Sequence, residues 1–307
     1  MKNYSIDQNK ILLIGGCGYI GSYLYQKLVE NGFEVTICDY LARGNPLNLD
    51  ILYCDYAELD KFFLQKFGTV LWFAGQSSVI QSMNDPNRAL INNCFNLFHL
   101  SQKLHPRTKF IYASSGSVYS TKNKYVKEVS EIENIEYPSQ TPYDISKFSF
   151  DYIAKNYLKN FYSLRMGTLA GYSPNLRDEL LFNSMNISAI NTGKIHLRNA
   201  NSYRTILFLE DLFSLILKLI TTKQQPGIIN VGSVSYTIGE FASKIANLWN
   251  SKIINHKNTK TYSFKLNCSR MEAIFGHYYK VISFEDRCRS FSEKLKFYKP
   301  LQMNVNQ

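Results

Sequence analysis

The feature that most constrains the fold of this 307-residue chain is a glycine-rich segment at residues 15–21, GGCGYIG, directly after a short apolar run. The run at residues 10–14 predicts a buried strand, and residues 20–31 have the apolar spacing of a helix. Glycines between a strand and a helix let the backbone turn tightly and approach a pyrophosphate at the helix N-terminus. The spacing fits both GxxGxxG and GxGxxG, and it predicts a dinucleotide-binding loop.

An acidic residue at the end of the next predicted strand, residues 33–38, supports the same interpretation. Asp39 follows Gly21 by 18 positions, close to the ~20 positions typical of dinucleotide-binding units. A carboxylate there would accept hydrogen bonds from ribose hydroxyls and repel a 2′-phosphate. The sequence therefore favours NAD over NADP as cofactor, although Arg43 nearby is a residue type that attracts a 2′-phosphate.

The first half of the chain alternates between apolar strand patterns and amphipathic helix patterns. Further strands are predicted in LDILYC, GTVLWFAG, TKFIYAS and NFYSLRM, and helices at residues 57–67, 86–104 and 142–159. Strands that are continuous apolar runs, separated by helices, indicate a parallel sheet covered on both faces. We predict an α/β fold, with a doubly wound parallel (Rossmann) sheet in residues 1–167 and a smaller α/β substrate lobe in residues 168–307, and some chain crossing between the two.

A tyrosine and a lysine in the predicted helix at 142–159 are spaced to lie on one helix face. Tyr143 and Lys147 stand four positions apart, so the ammonium can lower the pKa of the phenol by its charge. The phenolate could then take a proton from a sugar hydroxyl while a hydride leaves the same carbon. Ser115 ends a predicted strand, at the edge where a doubly wound sheet binds ligands, and its hydroxyl can share the path of that proton.

With the glycine-rich segment, SSGSVY and YDISK in this order, the sequence resembles the extended short-chain dehydrogenase/reductase family, in particular its NAD-dependent nucleotide-sugar epimerases and dehydratases. The resemblance covers about residues 10–290 and implies that Ser115, Tyr143 and Lys147 are catalytic. It implies that NAD is bound by Gly15, Gly18, Tyr19, Ile20, Asp39, Tyr40, Asp55, Tyr56, Phe73, Ala74, Gly75, Asn92, Ala113, Tyr143 and Lys147. It assigns a nucleoside-diphosphate sugar substrate to Ser77, Ser78, Ser117, Thr168, Asn183 and Arg204, the last as a clamp on the diphosphate.

The two residues after Ser115 bear on which reaction of this family the chain catalyses. The resemblance implies that a 4,6-dehydratase would carry an Asp-Glu pair here, and a decarboxylase usually Glu at the second position. The chain has Gly116 and Ser117 instead, and neither can do acid–base chemistry. We therefore expect hydride transfer at sugar C4 in a nucleotide-sugar 4-epimerase, with Tyr143 as the base. A net C4-dehydrogenase or 4-ketoreductase stays open, because it would use the same residues, and so does a non-catalytic NAD-binding module.

The chain is basic, with 35 Lys and Arg against 24 Asp and Glu and a formal net charge of +11. No basic run of the kind that binds nucleic acid is present, so the charge is better suited to attracting small anions such as dinucleotides and nucleotide sugars. No apolar stretch reaches the ~20 residues of a membrane span, and the polar first ten residues do not resemble a secretion signal. We expect a cytoplasmic protein that binds neither nucleic acid nor membrane, with its six cysteines reduced.

The remaining expectations concern metals and assembly. The five histidines form no ligand pattern, so we expect no bound metal. The family resemblance implies a homodimer, or a higher homo-oligomer, formed through the predicted helices at 86–104 and 142–159. The apolar positions of these helices include Leu90, Leu97, Leu104, Phe148, Tyr152 and Leu158. The resemblance also implies a role in the assembly of surface polysaccharides.

Overall fold

The computed structural model describes residues 6–119, 128–129, 141–259, 261–276 and 281–298. The strands are β1 (Asp7–Ile14), β2 (Glu34–Asp39), β3 (Leu52–Tyr53), β4 (Phe67–Trp72), β5 (Lys109–Ser115), β6 (Glu128–Val129), β7 (Phe161–Met166), β8 (Thr168–Ala170), β9 (Lys194–Leu197), β10 (Tyr203–Phe208), β11 (Gly227–Val231), β12 (Val234–Thr237), β13 (Lys252–Asn255) and β14 (Lys265–Leu266). The helices are α1 (Tyr19–Glu30), α2 (Lys61–Leu64), α3 (Val79–Asn84), α4 (Pro86–Leu90), α5 (Asn96–Lys103), α6 (Pro142–Tyr157), α7 (Leu181–Thr192), α8 (Leu209–Thr221), α9 (Ile238–Trp249), α10 (Ser269–Phe275) and α11 (Phe284–Leu295). None of the helices in these ranges is long and apolar enough to span a membrane.

Seven parallel strands form the main sheet of the described residues, in the order β11-β7-β5-β4-β1-β2-β3. The chain runs outward from β1 to β3 and then returns to β4 on the other side of β1, so the strand order reverses between β1 and β4. At such a reversal the loops leave in opposite directions and open a crevice beyond the carboxyl ends of the strands. The doubly wound α/β fold expected from the sequence is confirmed, and its crevice lies where the glycine-rich segment follows β1.

Continuous apolar sequence explains why the central strands lie inside the protein. Every residue of β4 and β7 is buried, and so are the last four residues of β1. Within β1, Ile11 and Leu13 pack in one hydrophobic cluster while Leu12 and Ile14 pack in another, as the alternation of side chains along a strand requires. Both faces of the sheet are therefore covered, which is why its strands show no polar alternation.

Most strands after β7, together with β6, form smaller sheets in the described residues, with strand orders β12-β10-β8, β13-β9 and β14-β6. One later strand is an exception, since β11 pairs in parallel with β7 at the edge of the main sheet. The second half of the chain thus contributes a strand to the sheet of the first half. The division between residues 1–167 and 168–307 stays a prediction.

Two helices differ from the sequence-based expectation. The pattern at 57–67 gives only a 3₁₀ turn at Tyr56–Glu58 and the four-residue α2, because the side chain of Asp60 caps a new helix and β4 begins at Phe67. The expected helix at 86–104 is divided into α4 and α5 by a π-helical turn at Ile91–Phe95. Such turns are frequent at functional sites, and this one directs two asparagine side chains to the carboxyl end of β4.

Candidate active site

The glycine-rich segment, here called the glycine loop (residues 15–21), connects β1 to α1 and depends on two of its glycines for its shape. Gly15 has a φ of +83°, in the left-handed region that glycine adopts readily. A Cβ on Gly21 would lie 2.1 Å from the carbonyl oxygen of Gly15, too close for any side chain. Gly18 differs, because its Cβ would make only an ordinary 3.4 Å contact with the same oxygen. Gly18 caps the N-terminus of α1 without a side chain, which leaves backbone N–H groups accessible to an anion.

Asp39 lies at the end of β2, beside the glycine loop. Its carboxylate accepts hydrogen bonds from the backbone nitrogens of Cys17, at 2.9 Å, and Leu41, at 2.8 Å. Burial raises the pKa of Asp39 above its ordinary value, and the bonds from the backbone oppose that rise. The carboxylate thus borders the loop on the side where the sequence predicts the adenosine ribose, and its role toward the ribose stays a prediction.

The segment after β4 and the π-helical turn pack together at the opening of the crevice. The side-chain nitrogen of Asn92 donates to the carbonyl oxygen of Ala74 at 3.0 Å, and the hydroxyl of Tyr56 donates to the carbonyl oxygen of Asn92. Phe73 continues the ladder of the sheet, donating its backbone N–H to Ile14 at 2.8 Å. A Cβ on Gly75 would lie 2.7 Å from Nζ of Lys147, so this glycine makes room for the lysine.

The other expected cofactor residues have varied surroundings. The side chain of Tyr19 is buried, and its hydroxyl donates to the carbonyl oxygen of Gly171 at 2.6 Å, so this ring links the glycine loop to the second half of the chain. Ile20 is partly buried against the core. Tyr40 and Asp55 are exposed, and Asp55 caps the 3₁₀ turn by accepting from the backbone nitrogen of Ala57. Their contacts with a cofactor stay predictions.

Tyr143, Lys147 and Ser115 come together at the carboxyl end of β5. Helix α6 begins directly before Tyr143, because Thr141 caps it and proline occupies its first position. One turn later, Nζ of Lys147 donates to the carbonyl oxygen of Ala113 at 2.8 Å and lies 5.9 Å from the centre of the Tyr143 ring. The side chain of Ser115 lies close enough to the Tyr143 phenol to lower its pKa.

Burial changes the acidity of both titratable groups of this trio. It raises the pKa of Tyr143 to about 12, and the neighbouring Asp144 carboxylate adds to the rise. It lowers the pKa of Lys147 to about 7, with the negative charge of Asp151 opposing the change. The Lys147 ammonium also lies 4.5 Å from the centre of the Trp72 ring. Since burial favours the neutral forms, a positive charge brought next to Tyr143 would be needed to stabilise its phenolate.

A buried ion pair supports the trio from behind. Nε of Arg165 on β7 lies 2.7 Å from Oδ2 of Asp151 on α6, and the hydroxyl of Ser114 on β5 donates to the same oxygen at 3.0 Å. The charge of Asp151 raises the pKa of Arg165 above its ordinary value despite burial. These bonds hold α6 against β7 and against β5, the strand that ends at Ser115. The sequence analysis did not identify the pair, although Asp151 stands four positions after Lys147 and so lies on the same helix face.

Two further charged residues near Tyr143 also escaped the sequence analysis. Arg177, on the loop after β8, pairs with Glu179 at 2.6 Å, and its positive charge lowers the pKa of Tyr143 against the dominant effect of burial. Its Nη1 is also 3.5 Å from the hydroxyl of Ser77, an expected substrate residue. Asp144 is fully buried next to Tyr143 and accepts a hydrogen bond from the hydroxyl of Ser117. Both residues stand close to expected site residues in the sequence, Asp144 between Tyr143 and Lys147 and Arg177 after Thr168. That proximity is the sequence signal that could have identified them.

The expected substrate residues of the second half fall into two groups. Arg204 on β10 is a buried cation whose guanidinium donates to Tyr203, at 3.0 Å, and Thr261, at 2.5 Å, and has no carboxylate partner among the described residues. Burial lowers the pKa of Arg204 to about 10. Asn183 is already engaged, because its amide accepts from the backbone nitrogen of Gly171 and donates to the carbonyl oxygen of Arg177. Asn183 thereby holds the loop after β8 in place.

Two other expected substrate residues lie at the ends of elements. Thr168 begins β8 and pairs with Ile206 of β10, and Ser78 caps α3 by accepting from the backbone nitrogen of Gln81 at 3.2 Å. Across the described ranges, no three His, Cys, Asp or Glu side chains are grouped so that they could hold a metal ion. The groups that do converge are loop N–H groups, a carboxylate and hydroxyls, which suit a dinucleotide and a sugar.

Comparison with known sequences places these features in context. A family model described as "NAD dependent epimerase/dehydratase family" matches residues 11–232. The bifunctional UDP-glucose 4-epimerase and UDP-xylose 4-epimerase 1 of Pisum sativum is 29% identical over 190 residues, which cover 55% of this chain and 53% of that protein. The UDP-glucose 4-epimerase of Haemophilus influenzae is 29% identical over 184 residues, 53% of each chain. The chain thus spans about half the length of these relatives.

Comparison with solved structures shows the same fold over almost the whole chain. A UDP-glucose 4-epimerase of Thermotoga maritima with UDP-glucose gives a TM-score of 0.79 at 23% identity, covering 94% of this chain and 99% of the other. TunA, an NAD-dependent NDP-hexosamine 5,6-dehydratase, gives 0.80 at 19% identity, covering 94% and 98%. At these identities the likeness concerns the fold alone, and the two neighbours differ in the reaction they catalyse.

Proposed function

The chain belongs to the NAD-dependent epimerase/dehydratase family, and from this premise we propose that it is a nucleotide-sugar 4-epimerase that removes and returns a hydride at C4 of the sugar. The family's cofactor is NAD, which supplies the hydride acceptor when it is bound. N–H groups of the glycine loop would hold its pyrophosphate at the start of α1, and Asp39 would hold the adenosine ribose. The open N-terminus of α1 at Gly18 and the carboxylate beside it are the features of this chain that fit the dinucleotide.

In this proposal the protein's part in the chemistry is to move one proton as the hydride leaves. Tyr143 takes the proton of the sugar hydroxyl at its phenolic oxygen, and Ser115 orients that hydroxyl. Lys147 stays fixed by the carbonyl oxygen of Ala113, and the positive charge of an oxidised nicotinamide would add to that of Lys147 in stabilising the phenolate. When the hydride returns to the other face of the C4 ketone, Tyr143 gives the proton back.

The surroundings of Gly116 are the observation that carries the choice of epimerase over dehydratase. A Cβ at this position would lie 2.9 Å from Cδ1 of Leu266 and 3.1 Å from the carbonyl oxygen of Met166. Gly116 itself cannot supply the acid that removes water from a neighbouring carbon, and a side chain at this position would have to displace the end of the Leu266 side chain and crowd the carbonyl oxygen of Met166. The next residue, Ser117, is a hydroxyl already bonded to Asp144. The sequence similarity to two UDP-glucose 4-epimerases supports return of the hydride to C4 rather than release of the keto sugar.

The diphosphate of the substrate is assigned to Arg204. A buried guanidinium without a carboxylate partner in the described residues is costly, unless a ligand supplies the negative charge. Arginine also binds phosphate oxygens in bidentate fashion. The sugar end would then face Ser77, Ser78, Ser117 and Thr168.

The test of this function is turnover of a panel of UDP-, GDP-, CDP- and dTDP-sugars by the purified protein. Product NMR and absorbance of reduced nicotinamide would be recorded on the same sample. An epimerase forms the C4 epimer without net NADH, whereas a dehydrogenase accumulates NADH and a dehydratase forms a 4-keto-6-deoxy sugar. Formation of either of the last two products, or of none, would overturn the proposal.

We also propose that the protein assembles as a homodimer through α3, α6 and the π-helical turn. Six large apolar side chains on these elements are each at least 50% exposed: Ile80, Met83, Ile91, Phe95, Tyr152 and Tyr157. Of the positions named from the sequence, Tyr152 is among them, but Leu97 is buried in the core. Phe95→Glu with Tyr152→Glu should give a monomer in light scattering, and a dimer that persists would place the interface elsewhere.

Action in the cytoplasm and in surface-polysaccharide assembly stays a prediction of the family resemblance.

A further inference from the structure

A buried carboxylate next to Tyr143 is bound by hydroxyl groups. Oδ1 of Asp144 accepts from the hydroxyl of Ser117, and Oδ2 accepts from the hydroxyls of Thr141 and Tyr262. Over the described ranges, no lysine, arginine or histidine forms an ion pair with Asp144. A buried carboxylate without a cation is costly, and such groups beside a reaction centre are candidates for a role in the chemistry.

Hydrogen-bond directions connect this carboxylate to Ser115. Oγ of Ser115 lies 2.7 Å from Oγ of Ser117, and it also accepts from the backbone N–H of Ser117 at 3.2 Å. An ionised carboxylate only accepts, and a serine hydroxyl has a single hydrogen. The hydrogen of Ser117 is therefore directed at Asp144, and the hydrogen between the two serines must come from Ser115. Ser115 is left with one acceptor lone pair that no group of the described residues uses.

We propose that this hydroxyl chain (Ser115, Ser117, Asp144) ends in a second acceptor for the proton of the sugar hydroxyl, beside Tyr143. The inference rests on the proposed function. As the hydride leaves C4 for the oxidised nicotinamide, the hydroxyl proton passes to Oγ of Ser115. The hydrogen of Ser115 passes to Ser117, and that of Ser117 passes to Oδ1 of Asp144. The alcohol becomes a ketone, the nicotinamide is reduced, and the carboxylate becomes a carboxylic acid.

The hydroxyl chain has a complete set of hydrogen bonds both before and after the proton transfer. After the transfer, Asp144 donates to Ser117, Ser117 donates to Ser115, and Ser115 donates to the new ketone oxygen. With an alcohol bound, Ser115, Ser117 and Asp144 each accept a hydrogen bond from the side of the substrate, and with the ketone bound each donates one back in that direction. The proton therefore stays inside the protein until the hydride returns. Asp144 acts through the serines, so it is a positioning residue that sets the direction of the Ser115 hydroxyl and stores one proton.

The same directions affect Tyr143. A bond donated by Ser115 would lower the pKa of the phenol, but the single hydrogen of Ser115 is directed at Ser117 while Asp144 is ionised. The charged groups around the phenol are Asp144 and Lys147 on α6 and Arg177 on the loop after β8. Removing the hydroxyl of Ser117 would free the hydrogen of Ser115 for the phenolate and leave all three charges in place.

The first experiment tests the direction of the hydroxyl chain and needs no turnover of a substrate. The NAD complex, labelled with ¹³Cζ-tyrosine, would be titrated by NMR as wild type, Ser117→Ala and Tyr262→Phe, with Tyr143→Phe to assign the signal. We expect a lower pKa of Tyr143 in Ser117→Ala and an unchanged one in Tyr262→Phe, which loses a hydroxyl from the other oxygen of the same carboxylate. An unchanged or higher pKa of Tyr143 in Ser117→Ala would overturn the proposal, because the hydrogen of Ser115 would then not be directed at Ser117 in the wild type.

The second experiment reads the proton transfer. Tyr143→Phe should keep a residual kcat, which Ser117→Ala or Asp144→Asn on the same background lowers at least ~10-fold, and in Asp144→Asn KM should change less than ~2-fold, because Asp144 acts only through the serines. If the double variants have the same residual kcat as Tyr143→Phe alone, the proposal of a second proton acceptor is overturned. Ser117→Ala keeps the cap of α6 intact, so the comparison stands even if Asp144→Asn does not fold. If the wild type turns over no nucleotide sugar, the proposed function fails, while the titration still decides the direction of the chain.

Discussion

Replacing Gly21 by alanine separates the two reasons for glycine in the glycine loop, the packing of the protein and the approach of a ligand. A Cβ on Gly21 would lie 2.1 Å from the carbonyl oxygen of Gly15 and 2.6 Å from Cα of Gly16. Both are backbone atoms, and Gly15 is tied to the sheet by a 2.8 Å hydrogen bond from its nitrogen to Cys38. Restoring an ordinary contact requires the loop to move by roughly 1 Å. Gly18→Ala is the matched control, because its Cβ would lie 3.4 Å from the same carbonyl oxygen.

The expected magnitudes follow from these contacts. Overpacking costs about 1–3 kcal/mol, which lowers the melting temperature of a chain this long by about 2–5 °C. The displaced loop also misdirects its N–H groups, so Gly21→Ala should weaken NAD binding by ~100-fold, about 3 kcal/mol. Gly18→Ala should cost at most about 1 kcal/mol of stability, as at other helix N-caps. It should nevertheless weaken NAD binding, because its methyl group enters the space predicted for the pyrophosphate.

Thermal unfolding without ligand and calorimetric titration with NAD measure the two effects on the same preparations. Equal melting temperature and equal NAD affinity in Gly21→Ala and the wild type would refute the reasoning about the loop. A loss of stability in Gly18→Ala as large as in Gly21→Ala would show that the backbone contacts of Gly21 are not its cause.

Two further predictions concern the buried basic side chains of Arg204 and Lys147. Arg204→Ala should raise KM for the nucleotide sugar by ~10–100-fold and change kcat little, because charge-assisted bonds to a diphosphate form in the bound ground state; initial-rate kinetics would contradict this if kcat alone fell. Burial lowers the pKa of Lys147 from 10.5 to about 7, so between these pH values Lys147 binds its proton more fully in the unfolded chain, and its contribution to the free energy of unfolding rises with pH. In denaturant unfolding across this window, the free energy of unfolding of the wild type relative to that of Lys147→Met should rise with pH, because the other titrating groups are common to both proteins, and parallel curves would contradict it.

The sequence predicted well where neighbours along the chain determine the structure. The glycine loop is such a case, since a strand, a turn that only glycine permits and a helix follow within 25 residues of one another. The pairing of Tyr143 with Lys147 is another, because a spacing of four residues on a capped helix brings side chains onto one face. The parallel sheet followed from apolar runs that are buried on both faces.

The sequence predicted poorly where distant segments determine the structure. The π-helical turn at Ile91–Phe95 depends on bonds from Asn92 and Asn93 to residues that follow β4, and no local pattern announces it. The sequence shows Gly116 only as the absence of an acid, whereas in the fold this position also packs against Leu266, which stands 150 positions later. The charge of Arg177 reaches Tyr143 only through folding of the loop after β8.

Asn183 and Asp144 show a further limit of reasoning from motifs. A position that matches a family pattern can have its polar atoms engaged within the protein, as Asn183 does with Gly171 and Arg177. Conversely, a residue between two motif positions can be buried in the candidate active site, as Asp144 is beside Tyr143. Burial and hydrogen-bond partners separate these cases, and both depend on contacts across the fold.

The measurement that tests the central claim most directly is the rate of C4 epimerisation by wild type and Tyr143→Phe, each loaded with NAD, on the nucleotide sugar that the wild type converts. The phenyl ring keeps the packing against Lys147, and the substitution removes only the hydroxyl that we propose moves the proton. We predict that Tyr143→Phe retains NAD while its kcat falls by ~10²–10⁴-fold, the usual contribution of a general base. A variant that retains NAD and epimerises the sugar at the wild-type rate would contradict the account.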